Sequence, residues 1–286
     1  MTINNLNNYH NFDAGILALS HSKCKAGKDY ETMSERTIGI MGAMPEEINE
    51  VVHLLSGMQE CTMGMRTYYT GKLHGISTVV VFSRWGKTAA AATVSTLILE
   101  FKITELIFTG VAGAINPSLR IGDIVIAKRL IQHDMDARPL MPRYEIPLLN
   151  ITYFETHKTQ LDIAVNAVND MVENKHLHAL IDSTELNHFG IEHPRLLIGD
   201  IASGDKFFSN GDDKGSLSEQ LPAILCVEME GAAVAQVCYE YNTPFTIIRT
   251  ISDTADEKSE IDFPSFIHCI SSKYSVQIIK NIFKQF

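Results

Sequence analysis

From Thr37 onward the chain alternates short apolar runs with longer segments in which apolar residues recur every three or four positions. The short runs predict strands at Thr37–Met41 (TIGIM), Met65–Leu73, Ile76–Ser83 (ISTVVVFS), Glu105–Gly110 (ELIFTG), Gly122–Leu130 (GDIVIAKRL), Arg195–Ile201, Ile224–Glu228 and Pro244–Ile251 (PFTIIRTI). His74-Gly75 reads as the turn between the second and third of these, and ELIFTG is followed by a glycine-bearing turn. Helical spacing covers Pro45–Leu55, the Ala-rich Lys87–Phe101, Thr156–Asn174, Glu230–Tyr241 and a long amphipathic Phe263–Phe286. Strand and helix alternating in this way predict an α/β three-layer sandwich with a central mixed, mostly parallel sheet flanked by helices. Residues 137–197 are the least regular and carry Pro139, Pro142, Pro147 and Pro194, which suits a long loop near a site or a subunit contact. Residues 1–36 are rich in Asn, Ser and Lys and lack sustained periodicity, so they read as a tail or loosely docked arm, or as sequence upstream of a start near Met33. A single domain over residues 37–286 follows.

Composition narrows the partners. Lys plus Arg is 24 and Asp plus Glu is 34, a formal charge of −10. That balance disfavours a nucleic acid or an anionic membrane as partner, because both need a basic patch. No apolar run reaches the roughly 20 residues of a membrane span. The patch Gly15–Leu19 is short for a signal sequence and its basic residues follow it, so a cytoplasmic location is expected, with the periplasm as the alternative. The five cysteines are widely spaced without a CxxC pair, which predicts buried free thiols and neither a disulfide framework nor a structural zinc site. His133-Asp134-Met135-Asp136 has metal-ligand residue types but no matching cluster elsewhere, and reads as a loop.

In open α/β sheets ligands bind beyond the carboxyl ends of the strands, so polar residues where apolar runs stop are the candidates. Four places stand out. Gly42-Ala43-Met44-Pro45-Glu46-Glu47 follows TIGIM; Pro at the first helical position and carboxylates in the first turn satisfy a helix start, while one carboxylate pointing back over the strand could activate a water. Thr109-Gly110-Val111-Ala112-Gly113-Ala114 is small enough for a ligand to approach the backbone, but it is not a dinucleotide fingerprint. Val227-Glu228-Met229-Glu230-Gly231 carries two carboxylates that suit a ribose diol or, equally, a helix start beside a core methionine. Arg249-Thr250-Ile251-Ser252-Asp253 places a charge inside a strand, which needs a carboxylate partner or solvent, and ends on an Asp that is either a cap or a general acid. Phe207 and Phe208 are core or a stacking surface for a flat ring, and Trp85 follows a strand where it can border a pocket.

The order IGIMGAMPEE, TGVAGA with GDIV, SGDKFF, VEMEGAA and RTISDTAD resembles the methylthioadenosine/S-adenosylhomocysteine nucleosidase family of the nucleoside phosphorylase/hydrolase superfamily, over residues 37–286. The resemblance implies the nucleoside phosphorylase-like fold, hydrolysis of the N-ribosidic bond of an adenine nucleoside, no cofactor and no metal. It implies Glu47 as general base for water and Asp253 as the acid that protonates purine N7, positioned by Ser252 and Arg249. It implies Glu230 as ribose ligand with Met229 packed beside the sugar, Glu228 in support, the Phe208 backbone on the adenine edge, Phe207 on its face, and Phe263 at the alkylthio end. Met44, Trp85 and Val111 join the substrate-binding set. Val111 departs from a common serine, and Trp85 from a smaller aliphatic. His133–Pro147 resembles the family's dimer-contact loop, so a homodimer is expected. To serve a leaving base near neutral pH, Asp253 must hold its proton there, which burial favours, or pass it through a water.

The sister phosphorylases grip phosphate with Arg and Ser around the glycine turn. Phe108 and Val111 offer neither here, which argues for water. Alternatives of the same chemistry are a purine nucleoside phosphorylase, a futalosine-type hydrolase and an AMP nucleosidase, the last needing a cationic phosphate site that is not evident. The alternative of another class is a nucleoside-binding sensor, which would dispense with a catalytic acid; Glu47, Glu230 and Asp253 are all present.

Overall fold

Alternate residues of the same strands enter two different cores. Ile38, Ile40, Val80, Ile107, Ile124, Ile126 and Ile248 belong to one buried cluster, whereas Met41, Val79, Val81, Leu106, Phe108, Val125, Ala127, Ile247 and Ile251 belong to the other. Strand side chains alternate between faces, so a sheet apolar on both faces must be covered on both. The computed structural model describes residues 35–173, 177–254 and 263–286, and Arg36–Phe286 forms one compact unit.

Among the described residues the chain runs β1 (Thr37–Gly42), α1 (Pro45–Val52), β2 (Ser56–Met63), β3 (Arg66–Leu73), β4 (Ile76–Phe82), α2 (Lys87–Leu99), β5 (Glu105–Ala114), β6 (Ile124–Gln132), β7 (Phe154–Glu155) and α3 (Lys158–Glu173). Then follow the short helices α4 (Leu177–Leu180) and α5 (Ser183–His188), β8 (Leu196–Ser203), α6 (Gly211–Gln220), β9 (Ile224–Glu228), α7 (Gly231–Glu240), β10 (Phe245–Asp253), α8 (Phe263–Phe266), a π-turn (Ile267–Ser271) and α9 (Ser272–Phe283). The sheet order is β10-β6-β8-β9-β5-β1-β4-β3-β2, with β7 beside β6. β10 also pairs with β5, so β5, β10, β6, β8 and β9 close into a ring. β4, β1, β5 and β10 run parallel, as do β6, β8 and β9, and antiparallel pairs join the two sets at β10–β6 and β5–β9. Helices α1, α3 and α9 pack together on one face and α2 against α7 on the other. The predicted three-layer α/β sandwich is the fold of this chain.

The helices meet the sheet through stripes. In α3, Ala164, Ala167, Val168 and Met171 are buried; in α2, Ala90, Thr93, Val94 and Leu97 are. Several elements differ from the sequence expectation. The strand after Phe101 does not stop at Gly110; β5 continues to Ala114, paired with β10 and then with β9, because its small residues fit between neighbouring strands. α1 ends at Val52, short of Leu55. β2 is an added edge strand whose residues are mostly exposed, so no apolar alternation marks it. α6 is a further addition within a polar, glycine-bearing stretch that buries only Leu217. The closing helix is continuous in sequence but contains a π-turn. Apart from residues 35 and 36, the expected tail lies outside the described residues, as do Cys24 and residues 255–256 of the RTISDTAD motif. Cys226 and Cys238 are buried, Cys61 and Cys269 half-buried, and all four are free.

Candidate active site

The ends of β1, β8, β9 and β10, with the far half of β5, surround a cavity of about 320 Å³, within the roughly 300–1,000 Å³ range of small-molecule sites. Its lining brings together every residue expected at the site: Met44, Glu47, Trp85, Val111, Phe207, Phe208, Glu228, Met229, Glu230, Arg249, Ser252, Asp253 and Phe263. A wider depression of about 780 Å³ shares Ala43, Met44, Trp85 and Phe263 with it.

Glu47 is placed by the start of α1. Met44 is extended at the N-cap, Pro45 opens the helix, and Glu47 sits in the first turn with its side chain folded back. Its carboxylate accepts the Ala43 amide at 2.6 Å and the Met44 amide at 3.0 Å. It is therefore both cap and site residue, held by backbone amides at the start of α1. Burial pushes its pKa up to about 7, against the pull of the Arg249 guanidinium and the nearby backbone amides. Gly110 leaves room for this pair, since a Cβ on it would lie 2.9 Å from Glu47 Oε1 and 3.3 Å from Arg249 Nη1 and would push against both side chains.

Arg249 is fully buried in β10, and its guanidinium meets the Glu228 carboxylate at 2.7 Å. It also lies 4.0 Å over the Phe108 ring and donates to the Ile248 carbonyl at 3.2 Å. The expected carboxylate partner is thus Glu228. Glu228 in turn accepts the amides of Glu230 at 3.1 Å and Gly231 at 2.8 Å, and the Ser203 hydroxyl. Its oxygens are so engaged within the protein that it braces the strand end more than it presents an acceptor to a ligand. Removing one partner from such a buried pair is expected to destabilise a fold by about 3–5 kcal/mol. Arg249→Ala should therefore lower the urea midpoint markedly, and a midpoint equal to that of the wild type would show that Glu228 does not depend on this cation.

Glu230 is the N-cap residue of α7, buried, and accepts the Gly86 amide at 2.8 Å. Burial, with the neighbouring Glu228 charge adding, pushes its pKa well up. Asp253 ends β10, is buried, and accepts the Ser252 hydroxyl at 2.7 Å. Ser252 thus contacts Asp253, and Arg249 contacts Glu228. Phe208 is buried in a small cluster with Ile115, Ile131 and Leu217 and also lines the cavity. Phe207 is 46% exposed and meets Phe263 edge-to-face at 6.2 Å. Trp85 is 63% exposed and stands at the mouth between the two spaces.

Some of the site was not anticipated from sequence. Lys206 lines the cavity and pairs with Asp213 at 2.7 Å. The Gly86 amide reaches Glu230 from a backbone at φ 91°, a conformation that favours glycine. The Gly-Lys pair at the start of α2 was the available signal. Among the described residues no group of three or more His, Cys, Asp or Glu side chains is placed to hold a metal ion.

Comparison with known proteins places the chain in a family. The Phosphorylase superfamily model matches residues 37–284. The chain is 33% identical over 250 residues to the 5′-methylthioadenosine/S-adenosylhomocysteine nucleosidase of Oceanobacillus iheyensis, covering 87% of this chain and 99% of that one. It is similar to the structure of the nucleosidase of that name from Colwellia psychrerythraea 34H in complex with adenine, with a TM-score of 0.76, 28% identity, and coverage of 88% and 96%. It is also similar to futalosine hydrolase of Helicobacter pylori strain 26695, with a TM-score of 0.74, 30% identity, and coverage of 89% and 100%. The chain belongs to the Phosphorylase superfamily and, within it, to the methylthioadenosine/S-adenosylhomocysteine nucleosidase family.

Proposed function

We propose that this enzyme hydrolyses the N-ribosidic bond of 5′-methylthioadenosine and S-adenosylhomocysteine, releasing adenine and the thioribose. The observation that carries the reading is the buried Glu47 carboxylate, held by two backbone amides with its pKa pushed up to about 7, in one cavity with Asp253 and Glu230. Cleavage builds positive charge on the sugar and negative charge on the leaving base, and needs a base for water and an acid for the leaving group. Water oxygen bonds to C1′ as Glu47 takes its proton, the C1′–N9 bond breaks, and Asp253, aligned by Ser252, gives a proton to N7. Glu230 holds the ribose hydroxyls with Met229 beside the sugar, Phe207 stacks on the base, and the Phe208 backbone meets its edge. Met44, Trp85 and Phe263 border the 5′ substituent, and the adjoining depression gives it room. The reaction uses no metal and no cofactor.

A cytoplasmic homodimer acting in methionine salvage completes the proposal, with residues 37–286 as one nucleosidase domain and 1–36 as an arm. The dimer is supported by the exposed Leu140 and Leu148 in the region after His133. Among the described residues no helix is long and apolar enough to cross a membrane. A second reading, a futalosine-type hydrolase, draws support from the H. pylori neighbour and from the size of the outer depression. Adenine release from methylthioadenosine and S-adenosylhomocysteine, with futalosine as a third substrate assayed for hypoxanthine, separates the two. Efficient release from the first pair supports the proposal, and turnover of futalosine alone would replace it.

A further inference from the structure

Ser203 ends β8, fully buried, immediately beside the VEME turn. Its hydroxyl donates to Glu228 Oε1 and accepts the Ala232 amide at 2.7 Å, one of the first-turn donors of α7 that would otherwise lack a partner. Glu228 carries on its carboxylate the amides of Glu230 and Gly231 and the Arg249 guanidinium. The Arg249 guanidinium and the Glu47 carboxylate converge on Gly110. One hydroxyl therefore ties a strand end, a helix start and the carboxylate from which the Glu230 backbone and Arg249 both hang.

We propose that Ser203 is a positioning residue for Glu230: its hydroxyl fixes the Glu228 carboxylate, and Glu228 in turn sets where the Glu230 side chain meets the ribose. The inference rests on the ribose-binding role given to Glu230 above. Removal of the hydroxyl leaves Glu228 one donor short and the Ala232 amide unpaired, so the turn bearing Glu230 is free to shift. The base-stacking segment that follows Ser203 is held separately. The Ser203 carbonyl accepts the His133 amide at 3.0 Å, and the Gly204 amide donates to the Glu228 carbonyl at 3.1 Å, neither through a side chain.

The test is calorimetric and kinetic. Adenine and a non-hydrolysable adenosine C-nucleoside are titrated into wild type, Ser203→Ala and Ser203→Thr. Displacement of a positioned group by about 1 Å can cost on the order of 10²-fold in rate. Ser203→Ala should lower kcat/KM for methylthioadenosine by roughly 10–100-fold and remove most of the affinity that the ribose adds, while adenine binds as it does to the wild type. Ser203→Thr, which keeps the hydroxyl, should recover most of that loss. An unchanged affinity ratio between nucleoside and adenine in Ser203→Ala, or an equal loss for both ligands, overturns the inference. The proposed function stands or falls separately, on whether the wild type releases adenine.

Discussion

Glu47→Gln should lower kcat for methylthioadenosine by about 10²–10⁴-fold, the contribution typical of a general base, and leave the fold intact. Glutamine has nearly the same shape, and its carbonyl oxygen can still accept the Ala43 and Met44 amides that close the start of α1. What it cannot do is take a proton from water. The same residue sets the acid side of the pH profile. Burial raises its pKa to about 7 because it disfavours the charged form, and Arg249 and the amides only partly offset this. The ionised form is the base, so the acid limb of kcat/KM should rise with pH up to about 7. Urea unfolding and kinetics on the purified variant check the first claim, and a pH–rate profile the second. A variant of near-wild-type rate, or a profile flat from about pH 5 to 8, would take the water-activating role away from Glu47.

Asp253→Asn should cost a similar factor of about 10²–10⁴ in kcat through the other half of the reaction. Asparagine still fits beside Ser252 and can still accept its hydroxyl. It can also hydrogen-bond a purine edge, so adenine affinity should be kept while turnover is lost. The comparison of adenine binding with single-turnover cleavage separates proton donation from mere contact. If cleavage survives, Asp253 only orients the base and the proton comes from elsewhere.

The chemistry of the site was more legible in the sequence than its connections. Glu47, Glu230 and Asp253 lie in the polar segments that follow apolar runs, the resemblance singled them out within those segments, and all three line one cavity. The need of Arg249 for a carboxylate followed from its place inside a strand, but the choice of Glu228 depends on how β9 and β10 approach each other, which no local pattern encodes. Gly86 and Ser203 act through a backbone amide and a hydroxyl whose partners, Glu230 and Glu228, are far along the chain. In the fold, buried strands such as β1 and β9 were clear because both faces are apolar. β2 was missed because an exposed edge strand carries no such mark, and α6 because glycine and charge dominate it. β5 ran past its expected end at Gly110: residues that read as a turn by size alone continue as strand when β10 and β9 flank them.

Water as the attacking group is the central claim, and the absence of side-chain donors at Phe108 and Val111 is the sequence feature behind it. The most direct test is the identity of the sugar product when purified enzyme acts on methylthioadenosine in phosphate-free buffer and again with phosphate added. Adenine with methylthioribose at the same rate in both buffers is the predicted result. Release that requires phosphate and yields the sugar 1-phosphate would contradict it and make this chain a phosphorylase.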